Sequence, residues 1–301
     1  MHAKKIKEII AFTIIPIIFL WGFNSLIIPP SAREQSMGGI GSISAVGPSA
    51  MYYNPSLTGA LDVLTIGVNF KRWILDTYYQ SFFITKPLSR FNLGIGIISF
   101  NAGTIEMRGP WPSDEIIGTF SPNDFSLYLN FSHKINYNNR FFCVGITPRF
   151  YYSKIHEYTA STYGIDLGMS LPILPQLRWG ISFIDFGGRL KYLRTSMNLP
   201  TRFISGLEYQ LLSKPESLLR IKTGFDFIYL IYDRQTKLNW GMEIGFYNKY
   251  FLRTGFKVNN KNEHITFGLG IAAQKFKIDY AWMPFQLNLG AAHHLSIGFG
   301  Y

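Results

Sequence analysis

The sequence predicts an all-β fold: a transmembrane, antiparallel, up-and-down β-barrel of about 14 strands with a plug-like segment ahead of it. Three observations carry this expectation. From Val63 onward, large apolar residues alternate with small or polar ones in segment after segment, the period-two signature of strands. The connections alternate between short and long, as in outer-membrane barrels with tight periplasmic turns and longer outer loops. The last segment, Leu295-Ser296-Ile297-Gly298-Phe299-Gly300-Tyr301, is bulky and apolar on one face and nearly bare on the other. That suits a closing strand against lipid, although on this segment alone the edge strand of a soluble sandwich would serve as well.

Composition bounds the reading. Hydrophobic residues make up 47%, aromatics 17% and charged residues 16%, yet mean hydropathy is only +0.09. A helical membrane protein would need several long apolar runs. Only the N-terminus has one, so the remaining apolarity is spread in alternation. Net charge is +11, and residues 1–25, with three Lys and one Glu, account for +2 of it, leaving +9. In an exported chain this excess points away from nucleic acid. It points toward lipopolysaccharide phosphates, anionic solutes or scattered solubilising charge. Cys143 is the only thiol, which excludes an internal disulfide.

In chain order, Met1-His2-Ala3-Lys4-Lys5-Ile6-Lys7 and the apolar run from Ile9 to Ile28 read as an export signal over residues 1–25, with Gly22 or Ser25 as the best cleavage positions. Residues 26–62 are small, Gly-rich and aperiodic. Gly38, Gly39 and Gly41 permit close backbone approach and Asn54-Pro55 marks a turn, so the stretch reads as a plug in a barrel mouth or a periplasmic segment. It lacks the Lys-Ser/Thr ending of a phosphate loop.

The barrel is expected over 63–301, with strands near 63–71, 78–86, 91–101, 125–134, 141–150, 162–171, 177–186, 201–211, 218–229, 237–247, 251–258, 264–272, 276–282 and 294–301. Gaps such as Pro87–Arg90, Asn248–Tyr250 and Ala273–Lys275 are short, whereas Ala102–Asp124, Gly187–Pro200 and Met283–His293 are long. This order would put both termini in the periplasm.

Within strands, one parity is large and apolar (Phe267, Leu269, Ile271) and the other small or polar (Thr266, Gly268, Gly270). Charges fall mainly on the second parity, expected to face the lumen: Arg149, Asp166, Arg178, Glu208, Arg220, Lys222, Asp226, Glu243, Arg253, Lys257, Lys277 and Asp279. A Lys or Arg facing lipid would cost ~2–4 kcal/mol near the midplane. Glu243 and Arg253 lie on neighbouring strands and are placed to pair. The set reads either as an ion-pair lattice filling a narrow barrel or as a solute pathway. Trp111, Pro112 and Trp282 are candidate anchors in the outer loops. Leu295, Ile297, Phe299 and Tyr301 are the candidate C-terminal signal for barrel-assembly machinery. The histidines are scattered, none in a nucleophile motif, and His293-His294 point apart on a strand, so neither an enzyme, a metal nor a cofactor is expected.

Two ends of the chain resemble one family. Ala32-Arg33…Met37-Gly38-Gly39…Ser49-Ala50-Met51-Tyr52-Tyr53-Asn54-Pro55 resembles the opening of the PorV/PorQ outer-membrane barrels, related in fold to the FadL transporters. Leu252-Arg253-Thr254-Gly255-Phe256, Thr266 to Ile271, Lys277-Ile278-Asp279-Tyr280-Ala281 and His294 to Ile297 resemble its closing strands. Pro48, where an acidic residue is common, and Ser56 after Pro55 depart from the pattern. The resemblance implies a fourteen-stranded barrel with its N-terminal segment in the lumen. It also implies either a protein-binding role in type IX-like secretion or surface attachment, with secreted proteins or secretion components as partners, or a FadL-like passive channel for hydrophobic or small solutes. For a channel, Pro148 or the Gly-rich strand positions mark a candidate wall opening, where ladder bonds are missing.

Overall fold

In a computed structural model, described for residues 24–300 except 75, 109–114, 138–139, 194, 213–217, 261–262 and 287–289, the alternating segments close into one antiparallel barrel of fourteen strands. In order these are β1 (Thr65–Arg72), β2 (Tyr78–Pro87), β3 (Asn92–Asn101), β6 (Asn123–Tyr137), β7 (Arg140–Ile155), β8 (Tyr158–Leu174), β9 (Leu177–Gly187), β12 (Arg202–Leu212), β13 (Leu219–Leu230), β14 (Gln235–Phe246), β15 (Tyr250–Val258), β16 (Ile265–Ala273), β17 (Phe276–Pro284) and β18 (Ala291–Phe299). β18 pairs with β1, Ile66 opposite Phe299, so the sheet has no free edge. Two small hairpins, β4 (Ile105–Arg108) with β5 (Ile116–Phe120) and β10 (Arg189–Tyr192) with β11 (Thr195–Asn198), stand in the long connections.

Alternation produces the wall. Along β16 the outward Phe267, Leu269 and Ile271 are exposed while Thr266 and Gly268 are buried against the interior. Leu295 and Ile297 face outward on β18, and Phe299 packs its ring 5.2 Å from Phe276. Tyr301 lies outside the described residues, as do Trp111 and Pro112. Trp282 corrects the expectation of a loop anchor: it sits within β17, outward, stacked on Phe267 at 5.9 Å between centroids. Alternation runs unbroken through it, so its ring faces the same surroundings as its strand neighbours.

The stretch between segments 141–150 and 162–171 is strand rather than loop. β7 and β8 run on to a two-residue turn at His156–Glu157, His156 having φ +54°. Alternation persists there, Tyr151, Ser153 and Ile155 buried between exposed Tyr152 and Lys154. Mixed polarity on the outer face hides it in the sequence.

The lumen is filled by the segment ahead of β1. Short helices at Asn24–Ile27, Ala32–Ser36 and Ala50–Tyr53 and a 3-10 turn at Pro55–Ala60 pack inside the barrel. The segment enters at one mouth and leaves at the other. Ser25 donates to Asp124 at the start of β6, and Lys71 near the end of β1 donates to the Pro29 carbonyl at 3.0 Å, both at the mouth that carries the long connections. Asn92, beside a short turn, holds the carbonyls of Thr58 and Leu61 at 2.7 Å. Because Phe299 also lies at the short-turn end, residues 25 and 299 sit at opposite mouths. The expectation that both termini share one side therefore does not hold for these residues.

Candidate functional site: a plugged lumen with a mouth chamber

The plug lies directly on bare wall. A Cβ at Gly255 or Gly241 would collide with the Met37–Gly38 backbone, and one at Gly145 or Gly168 with the Asn54–Ser56 turn. Gly38 and Gly39 adopt φ +72° and +75°, a backbone that β-carbon-bearing residues rarely take, to turn the plug there. Gly41 makes room for the Tyr53 ring. The Asn54 side chain is the keystone of the next turn. It accepts from the Ser56 amide at 3.0 Å and donates to the Ser42 carbonyl at 2.6 Å and the Met169 carbonyl at 3.1 Å. Pro55 follows, its carbonyl accepting from Asn130 at 3.1 Å.

Wall carboxylates hold the turn around Arg33–Ser42 of the plug. Arg33 of the plug reaches Glu243 with both Nε (3.0 Å) and a terminal nitrogen (3.2 Å), and also meets Glu34 at 2.8 Å. Burial works against the guanidinium charge, but Glu243 and Glu34 hold its proton more tightly than usual. Glu243 accepts from Arg253 at 2.6 Å, Arg253 continues to Asp279 at 2.8 Å, and Lys277 stands 3.7 Å from Asp279. Opposite charges thus alternate across four side chains of the wall and one of the plug. Asp226 instead caps a plug turn, accepting from the amides of Gly41 (2.8 Å) and Ser42 (3.0 Å) and from Ser42 Oγ (2.5 Å).

A second cluster lies across the lumen. Arg149 pairs with Asp166 and, at 2.6 Å, with Asp185, whose other oxygen meets Arg202 at 2.7 Å. Tyr151 donates to Asp185 at 2.5 Å, and the Arg149 guanidinium lies 4.4 Å above the Tyr128 ring. Of the remaining lumen candidates, Glu208 pairs with half-buried Arg178 at 2.5 Å and has Lys222 at 3.8 Å, Lys257 pairs with Glu263 at 2.5 Å, and Arg220 is half-buried.

Sequence reasoning missed Arg33, Glu34, Asp185 and Arg202. Asp185 falls on the lipid parity of β9, but φ +59° at this residue and a shift in the β8–β9 register turn it inward. A carboxylate standing on the lipid parity was the available signal. Arg202 shares parity with Glu208, and Arg33 sits in a stretch without periodicity. His294 is buried with Nε2 3.0 Å from the Pro30 carbonyl, while His293 faces outward beside Tyr280, so the two histidines lie on opposite faces.

Above the plug, at the long-connection mouth, lies a chamber of about 930 Å³. Ile27, Ile28, Trp73, Ile74, Ile228 and Phe285 give it an apolar side; Lys71, Arg202, Lys237 and Lys257 give it cations and Asp226, Asp233 and Glu263 carboxylates; Tyr52, Tyr53 and Ser42 belong to its floor. Burial opposes ionisation of Glu263 at its rim, but Lys257 and then Lys71 hold that carboxyl below its ordinary range.

Beneath Tyr52 the wall has a seam. β6 and β7 pair at Tyr128 opposite Arg149 and again at Phe131 opposite Ile146, with no pairing between. Pro148 lies in that interval and has no N–H to give; its pairing with β8 is intact. On the lumen side Asn130 Nδ2 bridges the seam to Thr147 Oγ1 at 2.9 Å, while Thr58 of the plug donates to Asn130 Oδ1 at 2.6 Å. Arg149, next to Pro148, donates to the Tyr52 carbonyl at 3.1 Å. Chamber floor, plug and seam are therefore linked through a few hydrogen bonds.

No protein-family model matches the chain, and no curated protein matches it. Solved structures do. The chain is similar to a monoaromatic hydrocarbon channel, CymD, at 12% identity and TM-score 0.60, covering 93% of this chain and 99% of that one. The toluene transporter TodX of Pseudomonas putida matches at 12% identity and TM-score 0.60 over 89% and 96% of the two chains. A Pseudomonas aeruginosa FadL homologue matches at 11% identity and TM-score 0.55 over 91% and 99%. At such identities the likeness is one of fold and does not bear on membership of the PorV/PorQ family. The chain has the barrel fold of the FadL-type outer-membrane channels.

Proposed function

We propose that this chain is an outer-membrane channel for hydrophobic or small solutes, which enter the mouth chamber and leave sideways through the β6–β7 seam. The observation that supports it is the coupling just described. Tyr52 both lines the amphipathic chamber and binds Arg149 beside Pro148, and Asn130 holds plug and seam together. A solute that displaces the plug at Tyr52–Thr58 loosens the side-chain bridge over a stretch of wall that already lacks ladder bonds. Apolar walls favour a hydrophobic body. Lys257 and Arg202 are taken up by Glu263 and Asp185, and Lys71 and Lys237, which stand in no salt bridge among the described residues, favour a solute with a negative end. Short turns face the periplasm in this reading, and no catalytic group is called on.

Uptake by cells lacking the protein, with and without complementation, tests the proposal. The probes are an alkyl carboxylate and a neutral hydrocarbon of the same length. Faster uptake on complementation, larger for the carboxylate, is expected; equal uptake in both strains overturns the channel.

A second reading gives the chain a protein-binding role in type IX-like secretion or surface attachment, for which the β4–β5 and β10–β11 hairpins at the long-connection mouth offer a platform. Cross-linking in intact outer membranes, affinity purification and mass spectrometry test it. Secreted proteins sharing one C-terminal domain would support this role, whereas lipopolysaccharide and barrel-assembly machinery alone would remove it.

A further inference from the structure

We propose that the outer face of β15–β18 and β1 is a lipopolysaccharide site: a lipid A acyl chain lies in a groove of the wall, and a lipid A phosphate binds Arg72 and His293. The inference rests on the orientation adopted above, long connections outside. On the outward side Leu252, Phe267, Leu269, Tyr280 and Trp282 border a groove of about 390 Å³, floored by the wall at Gly268 and Arg253. Leu252, Leu269 and Tyr280 stand opposite one another on β15, β16 and β17. Phe267 and Trp282 are paired one step nearer the long connections, their rings stacked. The lining is apolar apart from the Tyr280 hydroxyl, so the groove suits hydrocarbon.

Register shows where this wall leaves the hydrocarbon. Strands of such barrels tilt by about 35–45°, so a row of paired residues climbs as it goes round. The outward row through Trp282 continues as His293, Arg72, Tyr78 and Asn101, and it is polar from His293 onward. The next row toward the short turns, through Tyr280, Leu295 and Phe70, becomes polar only at Gln80 and Ser99. The row below that, Ile278, Ile297, Val68, Phe82 and Ile97, is apolar throughout. The polar boundary therefore steps from strand to strand, as tilt requires. It meets the end of the groove at His293 and Arg72.

Both residues can donate to an anion there. Tyr280 Oη and His293 Nδ1 are 2.7 Å apart, which holds the imidazole beside the groove and leaves Nε2 to meet a ligand. Arg72 lies opposite His293 on the neighbouring strand. The carboxylate near it is Asp76 at 3.8 Å, with the two side chains 65% and 80% exposed. A pair so wetted is weak, and the guanidinium fork matches phosphate oxygens. Donors at the edge of the hydrocarbon, above an apolar groove, complement an amphiphile with acyl chains and a phosphate. In the outer leaflet that amphiphile is lipopolysaccharide.

Native mass spectrometry of the full chain, purified from outer membranes and freed of bound lipid in detergent, tests the site. The probes are lipid A, dephosphorylated lipid A and phosphatidylglycerol. Lipid A is expected to bind at least about tenfold more tightly than its dephosphorylated form, the factor carried by one charge-assisted hydrogen bond. Arg72→Ala with His293→Ala removes that advantage, and Arg72→Lys keeps part of it. Leu269→Trp fills the groove without changing charge and weakens both forms of lipid A. Equal binding of lipid A with and without its phosphates, or by the wild type and the double variant, overturns the site. Phosphatidylglycerol binding as tightly as lipid A overturns it too. Heat-modifiable migration shows that each variant is folded; should the double variant not fold, the two forms of lipid A on the wild-type protein decide alone. Lipid binding on the outer face needs no solute in the lumen, so a chain that transported nothing would leave these results unchanged.

Discussion

Glu243 carries the plug at the level of single residues, because it stands between Arg33 of the plug and Arg253 of the wall. Glu243→Ala removes the carboxylate between two buried guanidinium groups, leaving Arg33 with Glu34 alone and Arg253 with Asp279 alone. The barrel is expected to lose about 3–5 kcal/mol, read as a lower urea midpoint of the heat-modifiable form. Asp226→Ala strands the amides of Gly41 and Ser42 and is expected to cost about 1–3 kcal/mol in the same assay. Gly255→Val acts without removing any bond. Its side chain enters the space of Met37 and Gly38, so the plug shifts and conductance in planar bilayers rises. The pair Glu243–Arg253 was legible in the sequence, because both residues sit on the small-residue parity of adjacent strands. Asp185 was not, because a local reversal of φ overrides parity, and Arg33 was not, because no periodicity surrounds it.

Among elements, β6 and β7 and the connection between β15 and β16 make separate predictions. Asn130→Ala removes the bridge to Thr147 and the latch to Pro55 and Thr58 together. Solute uptake is expected to rise while the barrel remains folded; unchanged uptake would remove Asn130 from the route. At the rim, Lys257 and Lys71 lower the Glu263 carboxyl in the folded state. A lowered carboxylate contributes stability above its unfolded value of about 4.3, and that contribution is lost as pH falls through the folded value. Proteolysis of the β15–β16 connection is expected to accelerate on acidification below about pH 4 in the wild type. In Glu263→Gln it should already be fast at neutral pH and show little further change. The strands themselves were readable from alternation and connection length. The β7–β8 extension was not, because Tyr151 to Ser161 mixes polar residues into its outward face, as did the small hairpins, whose few residues give period two too little room.

For the whole molecule, a closed wall, an internal plug and an apolar outer surface follow from one sequence property, strict alternation of bulky and small residues. The small parity leaves room for the plug, and the large parity faces outward. The chamber was not visible in the sequence, since its walls come from strand ends and connections far apart in the chain, Trp73 and Phe285 among them. The central claim is that solutes leave through the β6–β7 seam. Disulfides installed on either side of the break, Leu127→Cys with Phe150→Cys and Phe131→Cys with Ile146→Cys, join residues that face each other in register and leave Pro148 in place. Uptake of the alkyl carboxylate is measured in the oxidised and the reduced variant. The account predicts that oxidation lowers uptake at least about tenfold, equivalent to a barrier of 1.4 kcal/mol or more, and that reduction restores it. Equal rates in the two states would contradict a lateral exit at this seam.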